Sequence, residues 1–319
     1  HAGLAPIVKE FVEYLFLNRY IKYLFATETL ALGINMPAKS IYIDRLHKYD
    51  GIKTRPLTQS EFLQLSGRAG RRGIDDKGFA FLSYDKSVNR EWYSNLFTLK
   101  PNDLISAFSV NYSSILNLLN IYNEDEAVEL LRKSFFAYQN MYKTDKLEKL
   151  FSAKYCVLNQ LGFLNSDKGL VLTQTYRDNL IPAIYLFNKE KNKDIEFKLM
   201  YISSGITNER AEFALNDKFD SLLSSFNSSL ELVNKTEVAN GVGKPMKLNF
   251  SWFSVFYEYM KTSNIEYVIN KFGLNIGDFI KVAKEASELS KKLAVIYSDT
   301  EFEEINDIFN NKLIQKTMT

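Results

Sequence analysis

Apolar and polar positions alternate in two different ways along the first hundred residues. Short β-branched and aromatic runs, typical of buried parallel strands, occur three times. Longer stretches repeat their apolar residues at helical spacing, which predicts amphipathic helices. The predicted strands are 21–25, 40–43 and 78–82, and the predicted helices are 6–18 and 58–65, the second capped by Thr58 or Ser60. Strands that alternate with helices predict an α/β layer over residues 1–100.

Helical patterns dominate the next segment, which opens with a proline at position 101. Amphipathic helices are predicted at 113–119, 124–138 and 144–160. After them come a glycine-containing helix end at 162–164, a turn at 166–169 and an apolar run at 170–173, which we interpret as a strand. Three helices and a β-wing predict a winged-helix domain over residues 101–180.

Residues 181–319 carry almost no strand pattern and predict a helical bundle. The clearest loop is 240–245, and the last long helix, 278–296, has two distinct faces. Its apolar face is formed by Phe279, Val282, Ala283, Ala286, Leu289 and Leu293. Its polar face carries Lys281, Lys284, Lys291 and Lys292 with two glutamates, so a solvated face with intrahelical ion pairs is as good an interpretation as a nucleic-acid contact. The predicted fold class is α/β followed by mostly α.

Composition restricts the classes of function. The chain of 319 residues has a net charge of only +2, so a basic surface for nucleic acid must be local. One cysteine and two histidines exclude a disulfide framework and a Cys/His zinc site, and we expect no metal ligands in this chain. The longest uncharged stretch, 104–123, is rich in Asn and Ser, which excludes a membrane span there. A reducing compartment fits the cysteine count, and we expect a cytoplasmic protein.

The strongest motif is QLSGRAGRRG at residues 64–73. Its glycines, Gly67 among them, let the backbone approach a partner closely. Arg68 and Arg71 project from one side of a helix end, and an arginine fork matches phosphate oxygens. This pattern suits an arginine finger in phosphoryl transfer, and the alternative is a solvated basic helix end that binds nothing.

A second motif, ATETLALGINMPA at residues 26–38, follows directly on the first predicted strand. Phosphates bind where a strand of an α/β sheet ends and a helix begins, and Thr27 and Thr29 have hydroxyls to donate there. The alternative is an ordinary turn in which Thr27 caps the helix.

Together with His1-Ala2-Gly3-Leu4, the two motifs resemble the superfamily-two DExH-box RNA helicases of the superkiller and exosome-associated class. The resemblance implies that residues 1–100 are part of a second RecA-like domain. It also implies a winged helix at 101–180 and a helical-bundle ratchet domain at 181–319.

The resemblance also implies roles for individual residues. Arg68 and Arg71 would be the finger and phosphate-clamp residues, and Gln64 would couple to the nucleotide. The other implied nucleotide contacts are Gly33, Asn35 and Gly67, and the implied nucleic-acid contacts are His1, Gly3, Thr27, Tyr49, Lys281 and Lys284. Lysines stand where the family's ratchet usually has arginines, which weakens the expectation of a bidentate grip there.

A helicase motor also needs a Walker A loop and an Asp-Glu box, which bind ATP and Mg²⁺ on a first RecA-like domain. The sequence has only imitations of them, at 241–245 and 125–128. We therefore interpret the chain, which opens at His1 without Met, as a fragment that lacks the first domain and is inactive alone.

Residues 39–72 hold eight Lys and Arg against three acidic residues, a local charge of +5. A hairpin turn is predicted at 49–52 within this segment, and Tyr49 there has a ring that could stack on a base. An exposed basic hairpin that binds no ligand explains the same pattern equally well.

We therefore interpret the chain as the C-terminal portion of an ATP-dependent RNA helicase, with 3′-to-5′ polarity implied by the resemblance alone. Its expected partners are single-stranded RNA, the missing first RecA-like domain and an RNA-decay complex, with no membrane. Two alternatives stay open: a DNA helicase of the same superfamily, and a non-enzymatic RNA-binding module without a motor half.

Overall fold

A computed structural model describes residues 4–27, 37–49, 53–97, 103–140, 144–188, 194–206, 217–243 and 245–310. The chain divides into two compact units, His1–Leu104 and Ile105–Thr319. Within the described ranges, no helix has both the length and the hydropathy to cross a bilayer.

The first unit combines a few helices with two small sheets. Its described elements are α1 (Pro6–Leu17), β1 (Ser40–Ile43), β2 (His47–Tyr49), β3 (Thr54–Pro56), α2 (Gln59–Ser66), β4 (Phe79–Leu82) and α3 (Arg90–Phe97). Strands β1 and β4 pair in parallel, with Ser40 opposite Phe79 and Ile43 opposite Leu82, and β2 and β3 form an antiparallel hairpin. Four of the predicted elements are thus confirmed: the strands at 40–43 and 78–82 and the helices at 6–18 and 58–65. The hairpin is confirmed too, while residues 50–52 of its turn lie outside the described ranges.

The core of this unit joins the hairpin to α2, α3 and the parallel strands. Its buried members are Ile43, Leu46, Leu57, Phe62 and Leu96. The hairpin and α2 therefore pack on the same apolar cluster.

The strand predicted at 21–25 is wrong. These residues follow α1 without joining a sheet, and Tyr23 and Phe25 are 82% and 95% exposed. A strand is defined by hydrogen bonds to a neighbour, and in the described residues the parallel sheet contains only β1 and β4. An apolar β-prone run is therefore insufficient to make a strand without a partner.

The second unit is formed by helices and connecting loops, with no strand in its described ranges. Its helices are α4 (Tyr112–Leu119), α5 (Glu124–Arg132), α6 (Phe135–Gln139), α7 (Thr144–Gln160), α8 (Asp167–Thr175), α9 (Ile181–Leu186), α10 (Ile195–Ser204), α11 (Asp220–Ala239), α12 (Ser251–Thr262), α13 (Ile265–Phe272), α14 (Ile276–Tyr297) and α15 (Thr300–Asp307). The chain is thus mostly helical with a small parallel sheet, which agrees with the predicted fold class at that level.

The predicted strand at 170–173 is also wrong, because these residues lie inside α8. Ser166 caps this helix through its hydroxyl, which accepts a hydrogen bond from the Gly169 amide, and Val171 and Leu172 are fully buried. A short apolar run suits a buried helix as well as a strand, and the cap decides the outcome. The wing of the predicted winged helix is therefore not formed by this run.

The predicted helix at 124–138 is divided into α5 and α6. Lys133 ends α5, and the Ser134 side chain caps α6 by accepting from the Ala137 amide. Serine competes for backbone hydrogen bonds and so favours a new helix start over a helix interior.

Helix α14 has the two faces predicted for it. All six residues of the predicted apolar face are buried. Lys281 is exposed and Lys284 is half-buried, so the lysines lie along the side away from the core.

Candidate nucleotide-phosphate site

The helix that precedes the arginines is fixed at both ends. Thr58 and Glu61 form a reciprocal capping box at the start of α2. Gly67 caps its end, where the Gly67 amide donates to the Leu63 carbonyl at 2.8 Å. Gln64 is exposed on the last turn, and Arg68 and Arg71 lie on the loop that follows, beyond the helix itself.

The loop of residues 67–78, here called the arginine loop, is attached to the start of β1. The Ala38 amide donates to the Arg68 carbonyl at 2.9 Å, and the Gly70 amide donates to the Ala38 carbonyl at 2.7 Å. Gly70 has a φ of +92°, a conformation that side chains rarely adopt. The backbone that carries both arginines is therefore held against the sheet.

Gly78 allows the arginine loop to close on itself. A Cβ atom at this position would lie 2.3 Å from the Ala69 carbonyl carbon and oxygen, and 2.5 Å from the Gly70 nitrogen. No side chain fits in that space, so Gly78 is required by the close approach of two backbone segments. Its position just after the glycine-rich motif is the only sequence signal for this role.

Arg71 forms a bidentate ion pair with Asp75. Its Nε donates to Asp75 Oδ2 at 2.7 Å, and its Nη2 donates to Asp75 Oδ1 at 2.8 Å. The Arg71 amide also donates to Asp75 Oδ2 at 3.0 Å. Hydrogen bonding from Arg71 lowers the pKa of Asp75 to about 2, and the pKa of Arg71 is raised in return. Sequence analysis did not identify Asp75, because only the folded loop brings its carboxylate to the arginine.

The hairpin of β2 and β3 is tied to α2 by Glu61. Arg55 donates to both carboxylate oxygens of Glu61, at 2.8 and 3.0 Å, and Lys48 Nζ lies 3.3 Å from Glu61 Oε1. These hydrogen bonds, with Arg55 first among them, hold the pKa of Glu61 well below its usual range. Three of the eight basic residues at 39–72 thus pair with a carboxylate. Lys48 and Arg55 pair with Glu61, and Arg71 pairs with Asp75.

The predicted site residues are distributed as follows. The structure brings Gln64, Gly67, Arg68 and Arg71 together at the end of α2, and Thr27 lies exposed in the coil after α1. Tyr49 ends β2, and Lys281 and Lys284 lie on α14 of the second unit. His1, Gly3, Gly33 and Asn35 lie outside the described ranges.

Both imitations of motor motifs have structural roles. Glu126 accepts from the Asn123 amide at 3.0 Å in the capping box of α5, so the acidic run serves a helix start. Gly241 follows the end of α11 with a φ of +78°, as a turn residue. In the ranges that the structure describes, no cluster of three His, Cys, Asp or Glu residues is arranged to hold a metal ion.

The arginine loop can therefore offer guanidinium groups to phosphate oxygens from a rigid backbone. Among the residues that the structure describes, the acidic partner of Arg71 is Asp75.

Comparison with known proteins finds helicases that are similar in sequence to part of this chain. Part of the chain is 43% identical over 149 residues to the DExH-box ATP-dependent RNA helicase DExH9 of Arabidopsis thaliana, covering 47% of this chain and 15% of that protein. It is 43% identical over 140 residues to the exosome RNA helicase MTR4 of Homo sapiens, covering 44% of this chain and 13% of that protein. It is 42% identical over 139 residues to the probable helicase HelY of Mycobacterium tuberculosis, covering 44% and 15%.

The matched segments span about one seventh of the length of these relatives. No protein-family model matches the chain. The resemblance to DExH-box RNA helicases that the motifs predict is confirmed by these similarities.

Proposed function

We propose that this chain is the C-terminal portion of an ATP-dependent RNA helicase and that its arginine loop contacts the phosphates of ATP. The observation that carries the proposal is the rigid attachment of the loop. Backbone hydrogen bonds to Ala38, the contact at Gly78 and the ion pair with Asp75 all act on one short segment. Preorganised donors of this kind stabilise charge that develops in a transition state.

ATP would lie between this loop and a first RecA-like domain. Arg68 and Arg71 would be the finger and phosphate-clamp residues, and Gln64, Gly67, Gly33 and Asn35 would contact the nucleotide. Mg²⁺ neutralises phosphate charge when bound, and its ligands would come from the first domain. The arrangement agrees with the cationic arginine loop, which has hydrogen-bond donors for phosphate and no metal-binding cluster in its described residues.

RNA is the proposed nucleic acid, because the similar Arabidopsis and human proteins are both named as RNA helicases. By the same similarity we propose an RNA-decay complex as the partner, since one relative is named an exosome RNA helicase. The single cysteine, which fits a reducing compartment, supports a proposed location in the cytoplasm. For the second unit we propose the three helices of a winged-helix domain, without a wing strand at 170–173, followed by a ratchet-like bundle. In the first unit His1, Gly3, Thr27 and Tyr49 would contact the nucleic-acid strand, and in the second unit Lys281 and Lys284 on α14 would contact it.

The test uses the helicase in which this chain follows a first RecA-like domain. We expect RNA-stimulated ATP hydrolysis, and unwinding of an RNA duplex with a 3′ overhang but not of one with a 5′ overhang. Faster unwinding of the matching DNA duplex would favour the DNA helicase alternative. RNA binding without any ATP hydrolysis would favour the non-enzymatic module.

The 319-residue chain alone is expected to show no RNA-stimulated ATP hydrolysis. Arginines attract phosphate but neither hold Mg²⁺ nor orient the attacking water. Phosphate release is measured with and without single-stranded RNA. Turnover that disappears in an Arg71→Ala control would mean that the chain holds a complete motor site.

Replacing Lys281 and Lys284 together by glutamate is expected to weaken single-stranded RNA binding and to flatten its salt dependence. Each lost phosphate contact removes about 0.7 from the slope of log K against log salt. The matched control is Lys146→Glu with Lys149→Glu, which changes the same charge at the same spacing on α7, where both lysines are exposed. Equal effects of the two pairs would assign Lys281 and Lys284 to a solvated face.

A further inference from the structure

The pairing of Arg71 with Asp75 uses one edge of the guanidinium group. Nε and Nη2 both donate to the carboxylate. Nη1 has no acceptor among the described residues. We propose that Asp75 is a positioning residue, which holds Arg71 by its Nε edge so that Nη1 is presented to a phosphate. This inference rests on the proposed function, since it assigns the orientation of the arginine finger.

One carboxylate oxygen fixes both ends of the arginine residue. Asp75 Oδ2 accepts from the Arg71 side chain and also from the Arg71 amide. The Ile74 and Asp75 amides each donate to the Arg71 carbonyl at 3.0 Å, so the turn between the partners is closed as well. A long, flexible side chain is thereby restricted before any ligand arrives, which lowers the entropy lost on binding.

Asp75 is much less exposed to solvent than Arg71, as a positioning role for Asp75 requires. The Asp75 side chain is only 7% exposed, whereas that of Arg71 is 28% exposed. The carboxylate is thus largely shielded from solvent, and part of the Arg71 side chain stays exposed. Asp76, the next residue, is exposed and has no contact with Arg71, so it offers a matched control.

A competing role would be masking, in which Asp75 occupies the arginine until a phosphate displaces it. The geometry favours positioning, because Nη1 takes no part in the pair and a phosphate bound to Nη1 would leave both bonds to Asp75 intact. The two roles predict opposite effects of removing the charge. Loss of a positioning group lowers turnover, and loss of a mask raises it.

The first experiment measures ATP hydrolysis by the intact helicase. Asp75→Asn is expected to lower kcat by about tenfold to a hundredfold, the cost of a misplaced catalytic group, with KM little changed. Asp76→Asn is expected to be near wild type. In an Arg71→Ala background, Asp75→Asn is expected to have no further effect, because the group it positions is gone. A full additional loss in that background, or a kcat above wild type, would overturn the proposal.

The second experiment needs no hydrolysis and therefore separates this inference from the proposed function. The 319-residue chain is labelled with ¹⁵N-arginine, and the Nε–H signal of Arg71 is assigned by its loss in Arg71→Lys. We expect a slowly exchanging signal that Asp75→Asn abolishes, Asp76→Asn leaves unchanged and inorganic triphosphate does not displace. A rapidly exchanging signal in the wild type, or its collapse on adding triphosphate, would contradict positioning even if the chain proves to have no place in a helicase.

Discussion

Arg71→Ala in the intact helicase is expected to lower the kcat of RNA-stimulated ATP hydrolysis on the order of 10³. An arginine that contacts a transferring phosphoryl group stabilises charge that is larger in the transition state than in the ground state. We expect little compensation by neighbouring residues, because backbone hydrogen bonds and the close contact at Gly78 hold the segment that carries Arg71 in place. Steady-state phosphate release at saturating ATP and RNA measures the effect.

Arg90→Ala is the matched control for this substitution. Arg90 is exposed at the start of α3 in the same unit, and its replacement removes the same side chain away from the loop. Both variants are first compared with wild type by thermal unfolding. Arg71→Ala that folds normally and turns over at the rate of Arg90→Ala would refute the finger role.

Lys198→Met is expected to destabilise the second unit by about 3–5 kcal/mol, the cost of removing one partner from a buried ion pair. Lys198 lies on α10 with only 1% of its side chain exposed, and its Nζ lies 2.6 and 2.8 Å from the two oxygens of Asp299. Asp299 is buried as well, and it also caps α15 by accepting from the Phe302 amide. Without Lys198 this carboxylate would remain buried and uncompensated.

Urea unfolding, followed by Trp252 fluorescence in a Trp92→Phe background, measures the change. Trp252 is buried in the second unit, so its fluorescence reports the unfolding of the unit that contains Lys198. Lys235→Met on the exposed face of α11 removes the same charge and is expected to have little effect. Adding Asp299→Asn to Lys198→Met is expected to restore part of the stability, because the amide keeps the helix cap without the charge. No recovery in the double variant would place the effect in packing and not in charge.

Local chemistry explains which elements were predictable. The predicted elements that formed need only nearby partners. The helix at 58–65 is capped by residues within its own first turn, and the strands at 40–43 and 78–82 pair with each other. The runs at 21–25 and 170–173 have the same apolar character, but one has no partner strand in the described ranges and the other is drawn into a helix by the Ser166 cap. The pattern of apolar residues in a short run does not show which strand or helix the run will pack against.

The candidate site was predictable to the same extent. Glycine and arginine spacing identified Arg68 and Arg71, since their chemistry is carried by the side chains themselves. Asp75, Gly78 and Glu61 have roles that exist only after folding, when a carboxylate meets a guanidinium or two backbones meet. A sequence shows which groups are present, and the turn geometry decides which of them touch.

Glu61 has a mechanical consequence for the first unit. Its carboxylate is bonded to Arg55 and Lys48 of the hairpin and to Thr58 at the start of α2, while the other end of α2 leads into the arginine loop. Helix α2 is only eight residues long and has hydrogen-bonded caps at both ends, so we expect it to move as a rigid body. A displacement of the arginine loop is therefore expected to move the hairpin as well, because the Glu61 carboxylate, the shared apolar cluster and the two-residue connection at 57–58 all join the hairpin to α2.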